Sequence, residues 1–127
     1  MTKQHPVRIL EQGERGQVVG VELPDGTCPA EAFLAGLGER PQAQFKAALE
    51  RLTQVGWLRS PDVMRDLEVP GEPKIWEIKV HYGPGYRLYV VRRQTDWIAT
   101  HGGTKPKNKR VAAEAKRARV LLMKWES

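Results

Sequence analysis

The sequence contains little cysteine and no long apolar run. Its single cysteine, Cys28, excludes an internal disulfide and is compatible with a reducing compartment. No apolar run approaches the roughly 18 residues that a membrane span needs, and the first residues, MTKQHPVRILEQ, lack the apolar core of a secretory signal. We therefore expect a cytoplasmic protein that has no membrane partner.

The sequence also lacks the spacings that hold a metal ion or a nucleotide. Its three histidines and one cysteine are scattered, without the spacing of zinc ligands. Gly102-Gly103-Thr104-Lys105 resembles a phosphate-binding loop only superficially, because the required glycine spacing and the Gly-Lys-Ser/Thr ending are absent. The sequence therefore predicts neither a metal site nor a bound cofactor.

Basic side chains are concentrated in the C-terminal half. Residues 1–71 carry 8 basic and 10 acidic side chains, whereas residues 72–127 carry 13 basic and 5 acidic ones. This asymmetry favours a polyanionic partner, most simply a nucleic acid, because each neutralised phosphate releases counterions. A solvated basic helix and an acidic protein partner are alternatives that fit the same charges.

The length of 127 residues, with 40% hydrophobic and 28% charged residues, predicts one globular domain over residues 1–127. We expect an α+β fold, in which a small antiparallel sheet has an N-terminal helical hairpin on one face, a basic C-terminal helix, and its helices largely on that one face. The facing of the strand at Trp97 and Ile98 stays open, and with it the direction of His101. Outside a central hairpin, the predicted strands cover residues 7–10, 18–23 and 97–100. The predicted helices cover residues 28–38, residues 41–56 and a segment from Val111 onward. A proline-rich connector covers residues 57–73.

The central hairpin is predicted by two alternating runs that flank Gly83-Pro84-Gly85. A three-residue turn pairs Tyr82 with Tyr86, so that His81 faces Arg87 and Lys79 faces Tyr89. The side chains then sort onto two faces. The apolar face carries Trp76, Ile78, Val80, Tyr82, Tyr86, Leu88 and Val90, and the other face carries Glu77, Lys79, His81, Arg87, Tyr89 and Val91.

Several segments in order resemble a known family. They are a helix start with Pro29 followed by Phe33-Leu34, the strand IWEIKVHY, the motif Gly85-Tyr86-Arg87-Leu88, and a strand that runs into His101-Gly102 and a lysine-rich segment. Together they resemble the RelE/HigB/ParE superfamily of toxins from type II toxin–antitoxin systems, especially its HigB-like, phage-associated branch. The resemblance implies a compact, metal-independent ribonuclease that cleaves mRNA on the ribosome and is held inactive by a cognate antitoxin in a hetero-oligomer.

The resemblance also implies roles for individual residues. In such ribonucleases the 2′-hydroxyl attacks the neighbouring phosphate, so the site needs a base, cationic groups and an acid. Arg87, the strand arginine after an aromatic residue, is expected at the phosphate and its transition state, where a planar guanidinium fits well. Lys79 in the preceding strand is expected at a phosphate, and protection of a sheet edge explains it equally well. The basic residue after the third strand corresponds to Lys105 or Lys107.

Two histidines, His81 and His101, titrate near neutral pH and are the predicted acid–base groups. An unperturbed lysine is too strongly protonated to act as a base there. A hydrogen-bonded structural role explains each histidine at least as well. The predicted catalytic set is Arg87, His81, His101 and Lys105, and the predicted RNA-binding set is Lys79, Tyr89, Lys107, Lys109 and Arg110.

Two features depart from the family pattern. Several members carry a catalytic tyrosine or histidine near the start of the last helix, where this sequence reads Lys109-Arg110-Val111-Ala112, and Glu77 stands where some members have another base. The acid–base pair therefore stays open. Two further functions also remain: a ParE-like toxin that traps gyrase on DNA, and a catalytically silent module that binds RNA or protein.

Overall fold

A six-stranded sheet with helices on both faces forms the protein in the computed structural model, which describes residues 5–127. The predicted strand and helix regions all form, with shifted ends. No helix in the described part of the chain is long and apolar enough to cross a membrane. In chain order the elements are β1 (Val7–Gly13), β2 (Gly16–Val21), α1 (Pro29–Ala35), α2 (Glu39–Val55), β3 (Met64–Asp66), β4 (Trp76–Val80), β5 (Tyr86–Arg93), β6 (Asp96–Thr104), a 3-10 turn (Asn108–Arg110) and α3 (Val111–Glu126).

The strands lie in the order β1-β2-β6-β5-β4-β3. Neighbouring strands are antiparallel except β2 and β6, where Val18 pairs with Trp97 and Gly20 with Ala99 in parallel. The expected antiparallel sheet is therefore wrong at this interior pair. β2 suits a parallel position because its valines are buried on both faces of the sheet, and parallel strands are normally covered on both sides.

The first face of the sheet is covered by α1 and α2. α1 contacts mainly β6 and β2, whereas α2 contacts β1, β2 and β4, so each helix touches the sheet more than it touches the other helix. The predicted N-terminal helical hairpin is therefore not confirmed, and the strands β1 and β2 precede both helices. The core on this face includes Val18, Phe45, Leu49, Leu52, Ile78, Val80, Leu88, Val90 and Trp97.

The second face is covered by α3, whereas α1 and α2 share the first, so the helices lie largely but not wholly on one face. The buried stripe of α3 is formed by Ala115, Ala118 and Leu122. The strands also carry apolar side chains on this side, and they need a second helical layer to exclude water. Trp97 belongs to the first core and Ile98 to the second, so both are core residues. The strand residues of the second core include Val19, Val21, Tyr89, Val91 and Ile98.

The β4–β5 hairpin has the predicted strand faces but not the predicted register. Val80 pairs with Tyr86, whereas the sequence predicted Tyr82 at that position. The loop therefore covers residues 81–85, and it turns through Gly83 at φ 57° and Gly85 at φ 81°, a conformation that favours glycine. A shift of two residues leaves each paired side chain on its predicted face, because side chains alternate with a period of two.

A glycine lets α1 pack closely on β6. A Cβ atom at Gly102 would overlap the ring of Phe33. Phe33 in turn meets Phe45 edge to face, with ring centroids 5.8 Å apart, and lies 6.4 Å from the ring of Tyr86. Gly102 therefore sets the distance between α1 and the C-terminal end of β6. From this end of β6 the chain continues into the basic segment before α3.

Candidate functional site

Three cationic side chains surround one buried carboxylate on the second face of the sheet. Glu77 is 1% exposed, and its carboxylate lies 3.1 Å from Arg65 Nη2, 3.7 Å from Arg87 Nε and 3.9 Å from Lys79 Nζ. Strand pairing produces this group, because Arg65 lies opposite Glu77 and Lys79 lies opposite Arg87. We call these four residues the Glu77 cluster. One carboxylate does not neutralise three cations, so the cluster favours an anion nearby.

Lys79 has an altered proton affinity within the Glu77 cluster. Burial lowers the pKa of its ammonium, and the positive charges of Arg65 and Arg87 lower it further, while Glu77 acts in the opposite direction. A lysine with a lowered pKa is deprotonated more readily than a surface lysine. Lys79 therefore loses its proton more readily than a surface lysine does, within a cluster of positive charge.

Arg87 is buried in the Glu77 cluster, but its strand partner Gly103 leaves the neighbouring position empty. Its Nη1 donates a hydrogen bond to the carbonyl of Tyr86 at 3.0 Å, and its ladder partner Gly103 has no atom within 4 Å of where a Cβ would lie. A Cβ on Gly85 would lie 3.3 Å from Lys105 Cβ and 3.7 Å from Arg87 Nη1. The fold therefore brings the predicted residues Arg87 and Lys105 together.

The segment between β6 and α3, residues 105–110, forms a basic loop. Its four basic side chains are all exposed, and they line a cleft of about 450 Å³. Glu114 is the one acidic side chain among the residues that line this cleft. The basic loop is therefore a surface that can bind a chain of phosphates without reading its sequence. The exposed side chains are Lys105, Lys107, Lys109 and Arg110.

Tyr89 and His101 form a buried stack beneath the start of α3. Their ring centroids are 4.6 Å apart with planes at 23°, and the two residues are 0% and 1% exposed. The imidazole shares hydrogen bonds with Glu114 Oε2 at 2.7 Å through Nε2 and with Thr100 Oγ1 at 3.1 Å through Nδ1. The predicted contact between Tyr89 and RNA does not fit this placement, because the side chain has no exposed surface.

Burial opposes charge on both rings of this stack. It lowers the pKa of His101, although the hydrogen bond and the negative charge of Glu114 act the other way. It also raises the pKa of Tyr89, and the carboxylates of Glu114 and Glu77 raise it further. The Tyr89 hydroxyl has no hydrogen-bond partner within residues 5–127. Both side chains are therefore neutral near pH 7.

His81 lies apart from the Glu77 cluster. It sits in the exposed hairpin loop, with Nε2 2.7 Å from the carbonyl oxygen of Asp62. The expected pairing of His81 with Arg87 is wrong, because the longer loop places Lys79 opposite Arg87. The predicted catalytic set is thus divided: Arg87 and Lys105 are neighbours, whereas His81 and His101 occupy two other places.

Three charged residues of the site have no role in the sequence interpretation. Arg65 comes from the connector, whose only clear signals are its prolines and a glycine. Glu77 alternates with Lys79 along β4, which places both on one face, and it stands where some toxins of the resembled superfamily have a base, but it is not in the predicted catalytic set. Glu114 follows the basic loop by one helical turn. In the described part of the chain, no group of three or more histidine, cysteine, aspartate or glutamate side chains could hold a metal ion.

The site lies inside a region that matches a known protein family. The family model described as "Phage derived protein Gp49-like (DUF891)" matches residues 32–123. This region starts in α1 and ends in α3, so it contains the Glu77 cluster, the basic loop and the Tyr89–His101 stack, whereas β1 and β2 precede it. No curated protein matches the chain.

Proposed function

Because the chain belongs to the phage-derived Gp49-like family (DUF891), which is related to the toxins of toxin–antitoxin systems, we propose that it is the toxin of a type II system and cleaves mRNA on the ribosome. The family implies an antitoxin partner. We also propose that its targets are the ribosome and mRNA, and that it is related to the RelE and HigB toxins.

The observation that supports ribonuclease activity is the position of Arg87. It lies in the cationic Glu77 cluster, and it adjoins Lys105 of the basic loop. Phosphoryl transfer between RNA oxygens adds negative charge to a phosphate, and fixed cations stabilise that charge in the transition state. A guanidinium beside further cations, next to a surface that can hold the RNA backbone, suits this requirement.

In the proposed reaction the 2′-oxygen forms a bond to phosphorus, and the bond between phosphorus and the 5′-oxygen breaks. A base takes the proton of the 2′-hydroxyl, and an acid protonates the leaving 5′-oxygen, which gives a cyclic phosphate and a free 5′-hydroxyl. Arg87 binds the non-bridging oxygens. The base is assigned to the pair Glu77 and Lys79, since both lie beside Arg87 and Lys79 has a lowered pKa.

The acid is assigned to a histidine. The two candidates, His101 and His81, differ in whether part of the protein has to move before the imidazole can reach RNA. His101 is buried under α3 and is bound to Glu114, so it reaches RNA only if the start of α3 moves. His81 is exposed and needs no such movement, but its Nε2 contacts the carbonyl of Asp62. Separate substitutions of the two histidines distinguish these routes.

One observation favours a second function, a catalytically silent module that binds RNA. Glu77 and Arg87 are 1% and 4% exposed, so a substrate phosphate reaches them only after the groups that cover them move aside. Binding of RNA by the exposed basic loop requires no such movement. The two functions therefore differ in whether RNA is cut, not in whether it is bound.

Cleavage of mRNA by purified protein with ribosomes tests the proposal. The wild type should cut the message, and Arg87→Gln should lower the rate about a hundredfold or more, as loss of a transition-state donor does. Arg93→Gln is the matched control, because Arg93 is on the same strand but is exposed and pairs with Glu126 at 3.2 Å. Circular dichroism of each variant checks that the fold is retained.

Three results would change the assignment. Binding of RNA without cleavage by the wild type would support the silent module. Intact mRNA together with DNA damage signalling after induction in cells would support a gyrase-directed toxin. Equal cleavage by the wild type and by Arg87→Gln would remove Arg87 from the site.

A further inference from the structure

An apolar groove separates the C-terminal half of α2 from the connector after it. The groove has a volume of about 620 Å³ and opens towards the end of β4. It is lined on both sides by aliphatic side chains, and its outer edge includes Val55 and Trp57, which are 59% and 38% exposed. Exposed apolar surface of this kind commonly marks a binding site. The aliphatic lining residues are Ala47, Ala48, Val55, Leu58, Val63 and Val80.

The charged side chains that line the groove are all basic. Arg51, Arg59 and Lys79 line it, together with His81, and no acidic side chain is among its lining residues. An apolar floor with a cationic border selects a ligand that carries the opposite pattern, an apolar stripe bordered by carboxylates. An amphipathic helix with glutamate or aspartate beside its apolar positions has that pattern.

RNA fits this groove less well than a helix does. Bases bind non-specifically by stacking on free aromatic faces, but Trp57 already packs against Trp76 and Trp97, at centroid distances of 4.8 Å and 5.2 Å. The guanidinium of Arg92 also lies over the Trp57 ring at 5.6 Å. The apolar part of the lining other than Trp57 is aliphatic, and it offers the most to apolar side chains of a protein.

We propose that this groove is the docking site for an acidic amphipathic helix of the antitoxin. The identity of the partner rests on the proposed function. The chemistry of the partner is inferred from the groove. Lys79 connects the two sites, because it lines the groove and its Nζ lies 3.9 Å from Glu77. The bound helix lies beside β4, the strand that carries Glu77 and Lys79, so the antitoxin is held next to the Glu77 cluster without covering Arg87.

The test uses the purified product of the reading frame that adjoins this gene, and measures its affinity by calorimetry. Val55→Glu places a carboxylate in the apolar wall and should weaken binding at least about tenfold, as loss of a buried anchor does. Arg51→Glu with Arg59→Glu should weaken it as well, mainly through slower association. Met123→Glu is the matched control, since Met123 is an apolar residue of α3 that is 70% exposed, and it should bind like the wild type.

Growth of cells separates this proposal from the proposed function. Val55→Glu should remain as toxic as the wild type and should no longer be neutralised by co-expressed antitoxin. Two results together would refute the toxin activity and leave the groove assignment in place. The wild type would arrest no growth, and Val55→Glu would still lose antitoxin binding. Three outcomes would each overturn the docking site. The first is unchanged affinity in both groove variants, and the second is a product of the adjacent reading frame that does not bind the wild type. The third is loss of RNA binding in these variants while their affinity for the antitoxin stays intact.

Discussion

The imidazole of His101 lies against the ring of Tyr89 with 4.6 Å between centroids, inside the protein. This contact joins β6 to β5, and the hydrogen bond from His101 to Glu114 continues it to α3. A proton added to His101 therefore places a charge between the sheet and the helix that covers it. The docking of α3 and the protonation of one side chain are thus linked.

This linkage predicts that the protein loses stability in mild acid. The pKa of His101 is lower in the folded protein than in the unfolded chain, chiefly because of burial, so the unfolded chain binds the proton more readily. The contribution of His101 is complete above the unfolded value of about 6.5 and is lost as the pH falls below it. Free energies of unfolding from urea titrations at about pH 8 and about pH 5 should fall more for the wild type than for His101→Gln. An equal fall in both proteins would contradict the linkage.

Removal of the Tyr89 hydroxyl should not weaken the protein. The hydroxyl is buried without a hydrogen-bond partner, and an unsatisfied buried polar group costs about 1–3 kcal/mol. Tyr89→Phe keeps the ring and its stack on His101, so we expect a free energy of unfolding that is unchanged or up to about 1 kcal/mol higher. Chemical denaturation measures it. A loss of more than about 1 kcal/mol would mean that the hydroxyl has a partner.

Neutralisation of Glu77 should strongly destabilise the fold. Glu77→Gln leaves Arg87 and Lys79 buried without their counter-ion, and removal of one partner of a buried pair costs about 3–5 kcal/mol. Arg65 adds little to this loss because its side chain is 51% exposed. Addition of Lys79→Met to Glu77→Gln should restore part of the stability.

A surface pair provides the control for this experiment. Glu126→Gln disrupts the contact with Arg93, in which both side chains are over 40% exposed, and it should cost no more than about 1 kcal/mol. Thermal and urea unfolding of the three variants give the comparison. A similar, small loss for Glu77→Gln and Glu126→Gln would refute the buried cluster.

Binding of single-stranded RNA should depend on salt through the basic loop. Each phosphate contact contributes about 0.7 to the slope of log affinity against log salt concentration. Lys107→Ala should reduce that slope by about this amount and weaken binding to all sequences alike. Lys46→Ala is the control, because Lys46 is a lysine of α2 on the other face of the sheet and pairs with Glu11. Equal slopes for both variants would exclude Lys107 from the RNA contact.

The sequence predicts the faces of the central hairpin because alternation is a local property. Each paired residue of β4 and β5 points where its position in the alternating run requires. The register depends on the loop, and the chain closes it through Gly83 and Gly85 with positive φ, whereas the Gly-Pro-Gly signal by itself is compatible with a shorter turn. Since a shift of two residues preserves the faces, the apolar pattern does not distinguish the two registers.

Burial of the site is harder to predict because it depends on packing between distant elements. Tyr89 and His101 look like candidates for contact with RNA until α3 is placed over them, and the apolar stripe of α3 does not say which face of the sheet it covers. Arg65 reaches Glu77 only because β3 forms inside the connector and pairs with β4. The sequence therefore places Arg87 and Lys79 on one face of the hairpin. It does not predict that Glu77 is buried between them or that Arg65 joins them.

The parallel pair of β2 and β6 sets the order in which the fold can be completed. Val18 and Trp97 are partners in the interior of the sheet, although most of the chain separates them. During synthesis the β1–β2 hairpin emerges first, and one of its edges stays unpaired until β6 has left the ribosome. Native contacts of such long range slow folding. Both cores contain side chains of β2 and β6, so the newly made chain completes them only after β6 has been translated.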